Sequence, residues 1–232
     1  MWCSRVITLF PEMFPGPLGV SLTGQALRDG IWSLETVNVR EYGIGLHKSV
    51  DAPPFGGGPG MIIRPDVLDP ALRKARKNLT KAPLIVTSPR GHRLDQNRVK
   101  KLVAGPGVVL LCGRFEGIDQ RLIDAYRIEE ISLGDFILSS GEPAAIALLD
   151  ACVRLLPNVM GKFESTLDES FENGLLEYPQ YTRPQMWANR KVPGILLSGH
   201  HEKIKNWRLD QSKAITERRR PDLWSIYQRE NS

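Results

Sequence analysis

Residues 84–135 read LIVTSPRGHRLDQNRVKKLVAGPGVVLLCGRFEGIDQRLIDAYRIEEISLGD. Three short apolar runs stand out in them. Leu84–Thr87 ends in Ser88-Pro89-Arg90-Gly91, Val108–Leu111 in Cys112-Gly113-Arg114, and Glu129–Ser132 in Leu133-Gly134-Asp135. β-branched runs of this length, bounded by Gly and Pro, predict strands. Helical patterns at Asp95–Ala104 and Gly117–Ala125 separate them. Strand–helix alternation predicts a mostly parallel sheet with helices on both faces. Ligands of such sheets bind beyond the carboxyl ends of the strands. Three strands ending in glycine-containing loops bring bare backbone N–H and C=O groups to one rim. That rim suits a ligand read by main-chain hydrogen bonds, such as an adenine. Three ordinary tight turns account for the same glycines equally well.

Outward from this stretch the alternation continues. Arg5–Phe10 predicts a first strand, Leu18–Asp29 a helix and Leu34–Val39 a second strand. Residues 43–60 form a loop rich in Gly and Pro, and Asp66–Asn78 predicts a helix. Downstream, Ala144–Leu156 is nearly all apolar and predicts a buried helix. Pro143 stands at its head, where a missing N–H costs nothing. Residues 157–169 lack a period. The expected organisation is an α/β domain over 1–160, a linker over 161–169 and a small helical domain over 170–232.

The chain has 232 residues, 41% hydrophobic and 25% charged, which allows one good core and a smaller attached unit. The formal net charge of +5 favours an acidic partner, nucleic acid first. Two clusters carry much of it: Arg73, Lys74, Arg76, Lys77 and Lys81, and Lys203 to Arg220. A solvated helix face is the simpler reading of each. Cys3, Cys112 and Cys152 form neither a disulfide framework nor a zinc spacing, so a reducing, cytoplasmic compartment is expected. No export signal or membrane-length run is present, so no membrane partner is expected. There is no dinucleotide fingerprint, P-loop, zinc-protease helix or serine elbow. These gaps remove NAD dehydrogenases, ATPases, zinc proteases and α/β-hydrolases as leading readings.

Five strings in order carry a resemblance. They are Leu9-Phe10-Pro11-Glu12-Met13-Phe14, Phe55-Gly56-Gly57-Gly58-Pro59-Gly60-Met61 and Cys112-Gly113-Arg114-Phe115-Glu116-Gly117-Ile118-Asp119, followed by the run from Gly134 to Glu142 and by Tyr181-Thr182-Arg183-Pro184. Together they resemble the bacterial tRNA (guanine-37-N1)-methyltransferases of the SPOUT superfamily. The resemblance implies a deep trefoil knot in the α/β domain, which no pattern argument would propose. It implies a helical C-terminal tRNA-binding domain and an obligate homodimer. The active site then lies between the knot of one subunit and the C-terminal domain of the other. S-adenosylmethionine is the implied methyl donor, magnesium an implied requirement and the tRNA anticodon stem-loop the implied substrate. Carried over residue by residue, the cofactor contacts fall on Ser88, Pro89, Gly91, Gly113, Gly117, Leu133, Gly134, Asp135, Phe136, Ile137, Leu138 and Gly141. No metal ligand is legible in the sequence.

Guanine N1 carries a proton and is a poor nucleophile until it leaves, so a general base is needed, worth about 10²–10⁴-fold. Negative charge then builds on O6, where a cation or N–H donor would stabilise it. The resemblance assigns the base to an acidic residue beside Ser-Phe, here Asp168-Glu169-Ser170-Phe171. Register favours Glu169, with Asp168 the alternative. Arg154 matches the arginine that acts on O6; without the resemblance it reads as a cation at a helix C-terminus. Glu116 falls near the methyl group and the target base, and Asp51 with residues 56–60 against cofactor or RNA. The chain departs from the family at Pro143-Ala144, where many relatives have Leu-Pro, at Phe115 in place of a common tyrosine, and in a shorter C-terminus. A non-catalytic RNA-binding module and a knotted ribose methyltransferase are the competing readings.

Overall fold

The structure is a computed structural model that describes residues 1–160 and 169–231. The chain divides into two compact units, Met1–Gly161 and Lys162–Ser232.

In the first unit the sheet strands are β1 (Trp2–Thr8), β2 (Trp32–Asn38), β5 (Leu84–Arg93), β6 (Gly107–Leu111) and β7 (Glu129–Ser132). A small antiparallel pair, β3 (Asp51–Ala52) and β4 (Ile62–Ile63), stands apart. The helices are α1 (Ser21–Arg28), α2 (Pro65–Arg76), α3 (Gln96–Val103), α4 (Gln120–Tyr126) and α5 (Glu142–Val153). The sheet runs β2-β1-β6-β5-β7, and every pairing is parallel. Both faces are covered, which explains why the strands read as continuous apolar runs. Val109 and Leu111 of β6 join α2 and α4 in one core layer. Val108 and Leu110 join α1, α3 and α5 in the other. Each fully buried leucine or valine contributes about 1.5–3 kcal/mol relative to exposure.

Several boundaries differ from expectation by two or three residues, among them α1, β2 and α5, and three differences have a visible physical reason. β1 starts three residues earlier than Arg5, because Trp2 and Ser4 are buried. The Trp2 indole donates to the Leu102 carbonyl at 3.1 Å. α4 begins at Gln120 rather than Gly117, because Asp119 caps it, accepting from the Arg121 N–H at 2.9 Å. β5 does not stop at Thr87. Thr87 pairs with Ile131, residues 88–91 bulge outward, and His92 pairs with the same Ile131. The expected turn is a bulge inside a strand.

The second unit contains α6 (His201–Arg219), α7 (Pro221–Glu230) and a hairpin of β8 (Met186–Trp187) and β9 (Arg190–Lys191). Its inner contacts are partly polar. The Thr216 hydroxyl is fully buried; it donates to the Ser212 carbonyl at 2.7 Å and accepts from the Leu176 N–H at 2.8 Å. The expectation of helices alone missed the hairpin, whose Ala188-Asn189 turn lacks the usual Asn-Gly signal. Among the described residues, no helix is long and apolar enough to cross a membrane.

Candidate active site

Beyond the carboxyl ends of β5, β6 and β7 lies a cavity of about 660 Å³. That volume is in the range of small-molecule and cofactor sites. Val86, Ile123 and Ile131 give it an apolar lining. Its rim is the three loops: Ser88 and Pro89 from the β5 bulge, Gly113, Glu116 and Gly117 after β6, and Leu133, Gly134, Phe136, Ile137, Leu138 and Gly141 after β7. Pro54 and Phe55 close one side, from the loop between β3 and β4.

The return of the chain after β7 is held by close backbone contact. The Gly141 N–H donates to the Gly113 carbonyl at 2.9 Å. The Thr87 hydroxyl donates to the Gly141 carbonyl at 3.4 Å. A Cβ on Gly141 would lie 2.7 Å from Gly113 N and 2.9 Å from both Cys112 Cα and Thr87 Oγ1. Only a residue without a side chain lets the three strand ends meet here. Gly141→Ala is therefore expected to be overpacked, at a cost of about 1–3 kcal/mol. Thermal unfolding checks this: a lower melting point is expected.

Glu142, the next residue, is fully buried at the first turn of α5. Its Oε1 accepts from the Thr8 hydroxyl at 2.7 Å. Its Oε2 lies 3.2 Å from Arg114 Nε, an ion pair off hydrogen-bond alignment. The Arg114 guanidinium in turn sits 4.2 Å from the centroid of the Phe10 ring. One carboxylate thus ties the end of β1, the head of α5 and the loop after β6. A negative charge at a helix N-terminus is favoured by the helix dipole. Cys112 beside it is no nucleophile: burial first, then Glu142, pushes its thiol well above the ordinary range. Cys152 is likewise pushed up to about 12 by burial.

Glu116 is exposed at the cavity rim, where Gly60 backs directly onto its side chain. The Glu116 N–H donates to the Met61 carbonyl at 2.9 Å, joining the glycine loop to the site. Asp51 lies on β3, at the base of the same loop. Two residues from the expected cofactor set do not line the cavity. Gly91 packs against the Glu130–Ile131 backbone, where a Cβ would come within 2.3 Å of the Glu130 carbonyl carbon; it lets β5 rejoin β7. Asp135 points outward and pairs with Arg93 at 2.9 Å. Arg154 caps the far end of α5, half-buried and away from the cavity. Glu169 begins the described part of the second unit, and Asp168 lies outside the described residues. Among the described residues, no three His, Cys, Asp or Glu side chains gather to hold a metal ion. The described residues therefore offer the implied magnesium no cluster of side-chain ligands.

Sequence reasoning gave no role to Glu142, Arg114 or Thr87. The signal was present for the first: an acid heading a nearly all-apolar helix needs a partner if it is buried.

Fold and cavity define a class: an α/β protein with a cofactor-sized cavity among loops beyond parallel strand ends. A family model described as tRNA (Guanine-1)-methyltransferase TrmD matches residues 1–226. Proteins named tRNA (guanine-N(1)-)-methyltransferase are similar along the whole chain. The one from Rhodopseudomonas palustris is 59% identical, covering 97% of this chain and 90% of its own length. That from Nitrobacter winogradskyi is 56% identical, covering 99% and 96%. That from Gluconobacter oxydans is 55% identical, covering 97% and 96%. The chain belongs to the tRNA (guanine-1)-methyltransferase family.

Proposed function

We propose that this chain transfers a methyl group from S-adenosylmethionine to N1 of guanine 37 in the tRNA anticodon loop. The observation that carries the reading is the cavity rimmed by three loops, where the Gly141 backbone meets that of Cys112-Gly113 and the Thr87 hydroxyl. Loops of this kind offer an adenine main-chain partners on its edge and apolar side chains on its faces. When bound, S-adenosylmethionine supplies a methyl group already activated by its sulfonium. The protein must then deprotonate guanine N1, neutralise charge on O6 and hold the reacting atoms in line.

Glu169 is the proposed base, Arg154 the cation for O6, and Glu116 the rim carboxylate that orients the target base. In one copy, the 12 residues of α5 separate Arg154 from the cavity at the helix head, about 18 Å along the axis. Arg154 would therefore act on the cavity of a second copy, which supports a homodimer. The passage of the chain after β7 across the ends of β5 and β6 supports a SPOUT-type trefoil knot in the first unit. The second unit would bind tRNA, and the enzyme would work in the cytoplasm. The target base must leave its stack to reach the cavity, with lysines and arginines holding phosphates.

The test is methyl transfer to an anticodon stem-loop bearing guanine 37, with the product hydrolysed to nucleosides for mass spectrometry. The expected product is 1-methylguanosine. Methyl on a ribose, or no transfer, would overturn the reading.

A further inference from the structure

Among the described residues of the second unit, the β8–β9 hairpin carries the most exposed aromatic side chain. Trp187 is 66% exposed and Met186 52%. An exposed indole offers a flat apolar face and a polar N–H to a partner. Its chemistry is specific. Trp187 and Arg190 are directly paired across the strands, so indole and guanidinium lie on the same face. Met186 and Lys191 are the next pair, on the opposite face. The arms are clamped by the Val192 N–H donating to the Gln185 carbonyl at 3.0 Å. Both turn residues adopt left-handed backbone, Ala188 at φ +46° and Asn189 at +59°. That turn matches strand twist and presents the pair rigidly.

The electrostatic setting selects the partner. Between Glu177 and Glu202 the chain contains no Asp or Glu, while Arg183, Arg190 and Lys191 fall within this span. Tyr181, 49% exposed, is in the same acid-free span. Exposed aromatic faces interleaved with cations suit unpaired nucleotides, whose bases stack while their phosphates are neutralised.

We infer that the Met186–Lys191 hairpin is an RNA-reading element. Trp187 stacks on an unpaired base of the tRNA, and Arg190 binds the adjoining phosphate. The inference rests on the proposed tRNA methylation and names which surface of the second unit grips the loop.

The test measures binding of the full chain to a fluorescent guanine-37 anticodon stem-loop across a series of salt concentrations. Trp187→Ala is expected to bind about 5- to 150-fold more weakly, with an unchanged salt slope. Trp187→Phe should recover most of that loss, because a ring suffices for stacking. Arg190→Ala should reduce the slope of log affinity against log salt by about 0.7–0.9, the share of one phosphate contact. S-adenosylmethionine affinity should match the unaltered chain in all three variants. Unchanged RNA affinity in Trp187→Ala overturns the inference. So does an unchanged affinity with altered oligomeric mass, which would mean that a second copy covers the hairpin. Absence of methyl transfer by the unaltered chain sinks the parent reading; normal transfer with Trp187→Ala binding as before sinks the hairpin alone.

Discussion

Glu169→Gln is expected to slow single-turnover methyl transfer by about 10²–10⁴-fold, the usual worth of a positioned base. Glutamine keeps the shape and removes the proton acceptor, so S-adenosylmethionine affinity should remain. Arg154→Ala should cost about 10²–10³-fold, the worth of one group stabilising developing oxyanion charge. Asp168→Asn, one position upstream, separates the two candidate acids: if it stops transfer while Glu169→Gln does not, the base is Asp168. Mixing variants tests the second copy. An Arg154→Ala chain paired with a Glu116→Gln chain leaves one dimer site with both residues intact, provided Arg154 serves the partner's cavity. Mixed dimers should then regain activity that neither variant shows alone. If Arg154 served its own cavity, every site in the mixed dimer would carry one defect and no activity would return.

The parallel sheet was legible because its strands are apolar on both faces. Val108, Val109, Leu110 and Leu111 are all buried, so a continuous run marks the strand. The ends of the strands were harder to place. Trp2 and Ser4 belong to β1 although the second is polar, since parallel-sheet pairing and burial override the hydroxyl. The bulge at 88–91 was unreadable as such: Ser-Pro-Arg-Gly also spells a turn, and only the rejoining of His92 to Ile131 distinguishes the two. Glycines carry little positional meaning without neighbours. Gly141 and Gly91 look alike in sequence, yet the first meets the ends of β5 and β6 at the cavity and the second makes room for the backbone of β7. The hairpin was missed because its turn uses Ala188-Asn189 and its strands are two residues each, too short for any period.

Glu142→Ala is expected to destabilise the first unit by about 3–5 kcal/mol, the cost of leaving the other half of a buried pair uncompensated. For a chain of this size that lowers the melting point by about 6–20 °C. Arg114 would lose its counter-charge while its side chain stays only 21% exposed, and the Thr8 hydroxyl would lose its acceptor. The decisive comparison is a double variant. Glu142→Leu combined with Arg114→Met removes both charges and should be more stable than Glu142→Ala, since apolar replacement of a buried pair is often neutral or stabilising. Cofactor affinity should behave differently. The pair anchors the loop from Gly113 to Gly117 against α5 and β1, and packing alone does not restore that anchor. Thermal unfolding should therefore recover in the double variant while S-adenosylmethionine binding, measured by calorimetry, stays weak. A Glu142→Ala chain that melts like the unaltered protein would show that the carboxylate is not the tie among the three elements. Full recovery of binding in the double variant would show that the loop needs volume there rather than charge.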